Sequence, residues 1–116
     1  MAGKFLTREE ILQAQDLGTV EVPVPEWGGV VRVRGLTGAE RDALEAEAAA
    51  LRRPLDNFRA RYLARCIVDE EGKRVFSDED IEALGRKSAA ALQRVFEAAV
   101  RLSALTEADV EALEKN

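Results

Sequence analysis

Histidine is absent from the 116 residues, and cysteine, tryptophan and tyrosine occur once each. Without histidine the chain lacks the commonest acid–base group near neutral pH and the commonest metal ligand. A lone cysteine, Cys66, can form neither an intramolecular disulfide nor a cysteine-based zinc site. No apolar run approaches the ~18 residues of a membrane span. Met1 to Glu10 lacks the apolar core of a secretory signal. Neither G-x-x-x-x-G-K-[ST] nor G-x-G-x-x-G occurs, so there is no phosphate-cradling loop, and Gly28-Gly29 is only a turn. Positive charge is also short: 17 Lys and Arg face 22 Asp and Glu, a net charge of -5. That balance opposes a protein whose task is gripping nucleic-acid phosphates. The expectation is a soluble, intracellular, acidic domain with little equipment for catalysis, no metal and no cofactor.

What is present is 47% hydrophobic and 34% charged, the composition of one globular domain. Nineteen residues are alanine. They favour helix but each buries little area, so a core built on them is thin. Helix starts are well marked. Thr7-Arg8-Glu9-Glu10 is a capping box opening a short helix expected to stop near Leu17-Gly18. Thr37-Gly38-Ala39-Glu40 opens a second, to about Leu51, with Leu44, Ala48 and Leu51 on one stripe. Leu55 to Ile67 forms a third, whose apolar arc of Leu55, Phe58, Tyr62, Leu63 and Cys66 also contains Arg59. Ser77-Asp78-Glu79-Asp80 starts a short helix ending at Gly85, a left-handed cap by expectation. Ser88 caps the widest apolar stripe, about Ala89 to Ala104, and Thr106 caps a last short helix.

Strand signals cluster near the start. Val20, Val22 and Val24 alternate with Thr19, Glu21 and Pro23, and Val31 and Val33 with Arg32 and Arg34. Joined by Pro25-Glu26-Trp27-Gly28-Gly29, they predict a β-hairpin, with Pro23 in an edge strand. Val68 to Phe76 predicts a second small hairpin or an extended excursion. The fold class is therefore α+β, mainly α. A single domain spans 1–116, with a short helix plus β-hairpin over 1–36 and a helical part over 37–116.

Candidate sites are few. The acidic run from Asp69 to Glu82 fails as a calcium loop: counting from Asp69, Gly72 falls at position four and Lys73 at five. Cys66, on the apolar arc with no histidine to activate it, is expected to be a buried structural thiol. Arg52, Arg53, Arg59, Arg61 and Arg65 against Asp56 give a local +4. Those arginines form either a docking strip for an acidic partner or a set of internal pairs with Glu45, Glu47 and the acidic turn. Trp27, at the hairpin tip, is either an interaction anchor or folds back over the core.

The order of elements carries a resemblance. Val30-Val31-Arg32-Val33-Arg34-Gly35-Leu36-Thr37-Gly38-Ala39-Glu40 leads from strand through G-L-T into helix. Cys66 to Ile81, then Leu84-Gly85 through Phe96, and the ending Leu105-Thr106-Glu107-Ala108-Asp109-Val110-Glu111 follow in turn. From about Phe5 to Asn116 the chain resembles the tail assembly chaperones of long-tailed bacteriophages. The resemblance implies a non-enzymatic protein of the host cytoplasm, absent from the mature virion. It implies that the chain keeps the long helical tape measure protein soluble and helps recruit tail tube protein subunits. Implied partners also include a C-terminally extended frameshift form of the chain, and Lys115-Asn116 fits an A-rich slip site. A homo-oligomer is expected, the hairpin edge being one contact, with no nucleic acid and no membrane as partner. Trp27, Arg52, Arg53, Arg59, Arg61 and Arg65 are the partner-binding candidates. The rival readings are a structural or head–tail connector protein and a small DNA-binding helical protein.

Overall fold

The computed structural model describes residues 3–51 and 55–103. Along these residues run α1 (Arg8–Gln13), β1 (Thr19–Val24), β2 (Gly29–Arg34), α2 (Gly38–Leu51), α3 (Phe58–Cys66), β3 (Ile67–Val68), α4 (Ile81–Gly85) and α5 (Ala89–Leu102). The strands form one antiparallel sheet in the order β1-β2-β3. The fold is α+β and mainly helical, as the pattern of caps and alternation predicts.

The hairpin is present with the predicted alternation of its faces. Val20 lies opposite Val33 and Val22 opposite Val31, so one face is apolar, while Glu21 lies opposite Arg32 on the other. Pro23 sits in the edge strand β1, where its missing N–H breaks no inner ladder. A single 3-10 turn, Pro25–Trp27, closes the hairpin, and Gly28 follows at φ +78, a conformation that suits glycine.

The sheet gains a third strand at the start of the segment where a second small hairpin is predicted. Ile67 and Val68 leave the end of α3 and pair with Val33 and Arg32 of β2. The chain then turns through the acidic segment, and Val68 bridges Arg74. The carboxylate of Asp69 accepts from the N–H groups of Glu71 (2.8 Å) and Lys73 (3.0 Å), and Gly72 takes φ +85. A two-residue strand has no measurable period, and Ile67 simply prolongs the apolar arc of α3, so the pairing of β3 with β2 was hidden.

The core lies between the apolar face of the sheet and the helices α3 and α5. Val22, Val24 and Val33 meet Tyr62, Leu63 and Cys66 from α3 and Val95, Phe96 and Ala99 from α5, all buried. Phe58, Tyr62 and Phe96 form an edge-to-face triad with centroids 5.1 to 6.2 Å apart. Alanines 48, 60, 64, 91, 98 and 99 complete the core, which is thin for that reason.

Several boundaries differ from expectation. Helix α1 stops at Gln13 rather than near Gly18, because none of its residues is buried and nothing holds a further turn. Helix α3 starts at Phe58, after Asn57 takes a left-handed φ of 54. Leu51 leaves the buried stripe of α2 and is 42% exposed; Leu44 and Ala48 are the buried pair. Gly85 does not adopt the expected left-handed cap. The Asn57 side-chain amide packs closely over it instead, in the space a Cβ would take. The cap at Ser88 is present, its Oγ accepting from Ala91 N–H, and α5 ends at Leu102. The helix expected after Thr106 lies outside the described residues.

Candidate partner-binding surfaces

The arginines grouped by the sequence are divided by the fold. Arg61 and Arg65 point to α2, where both reach Glu47. Arg65 Nη2 donates to Oε1 at 2.9 Å, and Arg61 Nη1 to Oε2 at 3.3 Å. Arg61 Nε also donates to the Asp56 carbonyl (2.7 Å), and Arg65 Nη1 to the Arg61 carbonyl (3.0 Å). Arg65 is 7% exposed, so burial has been met by an internal carboxylate. Arg59 lies on the other flank of α3. Its Nε donates to Gln93 Oε1, and its guanidinium stands 5.2 Å from the Phe96 ring centroid. Arg52 and Arg53 lie outside the described residues.

Trp27 is half-buried and packs against the core. Its position is set by its neighbour: Glu26 takes two hydrogen bonds from Arg94 of α5, at 2.7 and 2.9 Å. The Arg94 guanidinium lowers the Glu26 carboxyl to about 2. Cys66 is fully buried, and desolvation pushes its thiol up to about 12, so it stays protonated and inert. The acidic turn is occupied with its own backbone and neighbours. Asp80 accepts from Ser77 N–H at 2.9 Å and Asp78 pairs with Arg74 at 3.1 Å. Among the described residues no group of three or more acidic, cysteine or histidine side chains is arranged to hold a metal.

Three uncovered surfaces were missed or left open by the residue reading. The first is an N-terminal arm, residues 3–18. Phe5 is 100% exposed, Leu12 67%, Leu6 58% and Ile11 57%. The signal was present: Leu6 just before the Thr7 cap and Ile11 four residues into the helix are the positions of a hydrophobic staple. The second is a groove of about 660 Å³ between the N-terminal ends of α3 and α5, lined by Leu55, Phe58, Ala90 and Leu92, with Arg59 and Lys87 at its sides. The third is the outer flank of α2. Ala39, Ala43, Ala46 and Ala50 are all exposed, at spacings of four, three and four that place them on one stripe.

No helix among the described residues is long and apolar enough to cross a membrane. No curated protein matches the sequence closely enough to count as a relative. The family model described as phage tail assembly chaperone matches residues 8–116. The chain belongs to this chaperone family. The solved tail assembly chaperone of bacteriophage HK97 has the same fold, with a TM-score of 0.61 over 85% of this chain and 95% of that one, at 20% identity. Membership gives this tail assembly chaperone phage tail proteins as its class of partner and points to a non-enzymatic role. A chaperone acts by covering surface, which makes uncovered apolar surfaces, rather than titratable clusters, the features that matter.

Proposed function

We propose that this tail assembly chaperone binds the tape measure protein, keeps it soluble in the host cytoplasm, helps recruit tail tube subunits and is absent from the finished virion. The observation that supports this is the bare alanine stripe of α2. Ala39, Ala43, Ala46 and Ala50 let the axis of a long client helix approach closely. Many such weak contacts along one extended client add by multivalency. Arg52, Arg53, Arg59 and Arg61 remain proposed partner contacts, with Arg61 beside α2 and Arg59 on the other flank of α3. Arg65 acts through Glu47 rather than by contact, and Trp27 marks the hairpin tip. A homo-oligomer fits the same task, and a C-terminally extended frameshift form of the chain is its proposed second copy type.

Co-expression tests the reading. The tape measure protein is expected to be insoluble alone and to form a soluble, stoichiometric complex with this chain. Ala46→Trp, at an exposed position, is expected to leave the fold intact and lose that rescue. A tape measure protein equally soluble with and without the chaperone overturns the proposal. An A-rich slip site with an overlapping downstream frame tests the frameshift form at the gene.

A further inference from the structure

We infer that the chain's own acidic C-terminal segment, residues 104–116, folds back along α5 and plugs the α3/α5 groove. This goes beyond the proposed function and does not depend on the identity of the client. The groove has a buried apolar floor of Leu55, Phe58 and Leu92, with Arg59 and Lys87 at its sides and no carboxylate in its lining. It is a concave site between two helices that no described residue fills. The N-terminal arm is among the described residues, and none of its side chains lines the groove. An apolar cleft with a cationic rim fits an occupant that is apolar on one face and acidic beside it.

Two observations select the C-terminal segment as the occupant. One is reach. Helix α5 begins at the groove, with Ala89 and Ala90 in the wall, and its fourteen residues end at Leu102, about 21 Å away. Ser103 hands the chain on from that far end, and thirteen residues follow it. Running back antiparallel to α5, thirteen residues cover about 20 Å as helix and about 43 Å fully stretched, so the groove is within their span. The second is charge and pattern. Residues 104–116 carry Glu107, Asp109, Glu111 and Glu114 against Lys115, an excess of three carboxylates. The arm, with Glu9, Glu10 and Asp16 against Lys4 and Arg8, has an excess of one. Val110 and Leu113, three apart, fall on one face of the helix expected after Thr106. Glu107, Glu111 and Glu114, at spacings of four and three, fall along its flank.

A plugged groove keeps apolar surface from solvent in the free chaperone. Being tethered, the plug competes at an effective concentration of about a millimolar. A partner helix that uses the groove has to displace it first, so the plug excludes weak and unspecific contacts.

Disulfide trapping in the full chain tests this. The plug pair is Ala90→Cys with Leu113→Cys, and the arm pair is Ala90→Cys with Leu12→Cys. Ala90 and Leu12 are exposed, whereas Cys66 is fully buried and stays out of the exchange. With oxidised glutathione at low protein concentration, the plug pair is expected to close within one chain, read as the monomer mass less two hydrogens. It is expected to close at least about tenfold faster than the arm pair. Adding Lys87→Glu, or raising sodium chloride to about 0.5 M, is expected to slow it at least about threefold. Because Leu113→Cys itself trims an apolar contact, a nitroxide on Arg86→Cys gives a second reading with residues 104–116 unchanged. It is expected to broaden the amide signals of Val110 and Leu113 and to spare those of Ile11 and Leu12. An arm pair that closes as fast as the plug pair overturns the inference and gives the groove to the arm. Plug cysteines joined only between chains overturn it in favour of a neighbour's segment. Closure indifferent to Lys87→Glu and to salt, or Val110 and Leu113 signals left sharp by the nitroxide, overturns it as well. Each outcome is read on the chaperone alone, so failure here leaves the co-expression result free to stand.

Discussion

Glu47 serves two arginines at once, and one of them, Arg65, is almost fully buried. Removing the carboxylate leaves a buried guanidinium with fewer acceptors, while Glu47 itself is 34% exposed, which moderates the loss. Glu47→Ala is expected to cost about 1–3 kcal/mol by urea denaturation. Replacing the pair together, with Glu47→Leu and Arg65→Met, is expected to cost less than the single change. Carboxylates also set the pH response. In the folded chain Glu26 titrates at about 2, because of Arg94. Burial alone would raise Glu40, but the hydrogen bonds from Arg34 and Thr37 outweigh it and hold it below its ordinary value. Both groups ordinarily titrate near 4.5, so the unfolded chain takes up protons first as the pH falls. The stabilisation from Glu26 is complete above about 4.5 and is lost between there and about 2, and that from Glu40 is likewise lost as the pH falls below 4.5. Thermal melts over that range should show a falling Tm, and Arg94→Ala should flatten the part due to Glu26. Cys66 should resist thiol reagents at mildly alkaline pH until the chain is unfolded.

Between elements, the close approach of α5 to the link between β2 and α2 governs tolerance. A Cβ at Gly35 would sit 2.8 Å from the backbone carbonyl of Leu102, which cannot swing aside. Gly35→Ala is expected to cost about 1–3 kcal/mol in chemical denaturation. Gly85→Ala meets only the end of the Asn57 side chain and is expected to cost less. Ser103 ties the same junction: its Oγ accepts from Leu36 N–H at 2.9 Å and donates to the Ala99 carbonyl at 3.0 Å. The first bond joins residues far apart in sequence and ties the end of α5 to the link after β2, while the second holds Ser103 on the last turn of α5. The neighbouring Tyr62 hydroxyl is buried with no direct hydrogen-bond partner among the described residues, and desolvation raises it to about 12. The N-terminal caps at Thr7, Thr37 and Ser88 and the alternating faces of the hairpin were legible, because each is encoded in a few adjacent residues. The pairing of β3 with β2 and the early stop of α1 were not, because each depends on whether a distant surface is there to pack against.

At the scale of the molecule, membership of the chaperone family points to a chain that acts by contact. Its arginines are engaged one by one in internal contacts on different flanks of α3, so the local +4 in the sequence does not make a continuous cationic face among the described residues. Apolar surface is distributed to the ends and outer flank instead: the arm, the groove and the α2 stripe. Mass spectrometry of purified virions is expected to find this polypeptide missing. Fixed, abundant copies would mark a structural or connector component in its place.

The amino-acid order by itself determined the class of fold, the hairpin with its alternating faces, and the capped helix starts at Thr7, Thr37 and Ser88, because these follow from neighbouring residues. The tertiary structure alone decided which arginines are satisfied, that Trp27 lies back on the core, and that Phe5, Leu6, Ile11 and Leu12 are left bare. Burial is a property of what lies opposite, and what lies opposite is set by contacts between residues far apart in the chain.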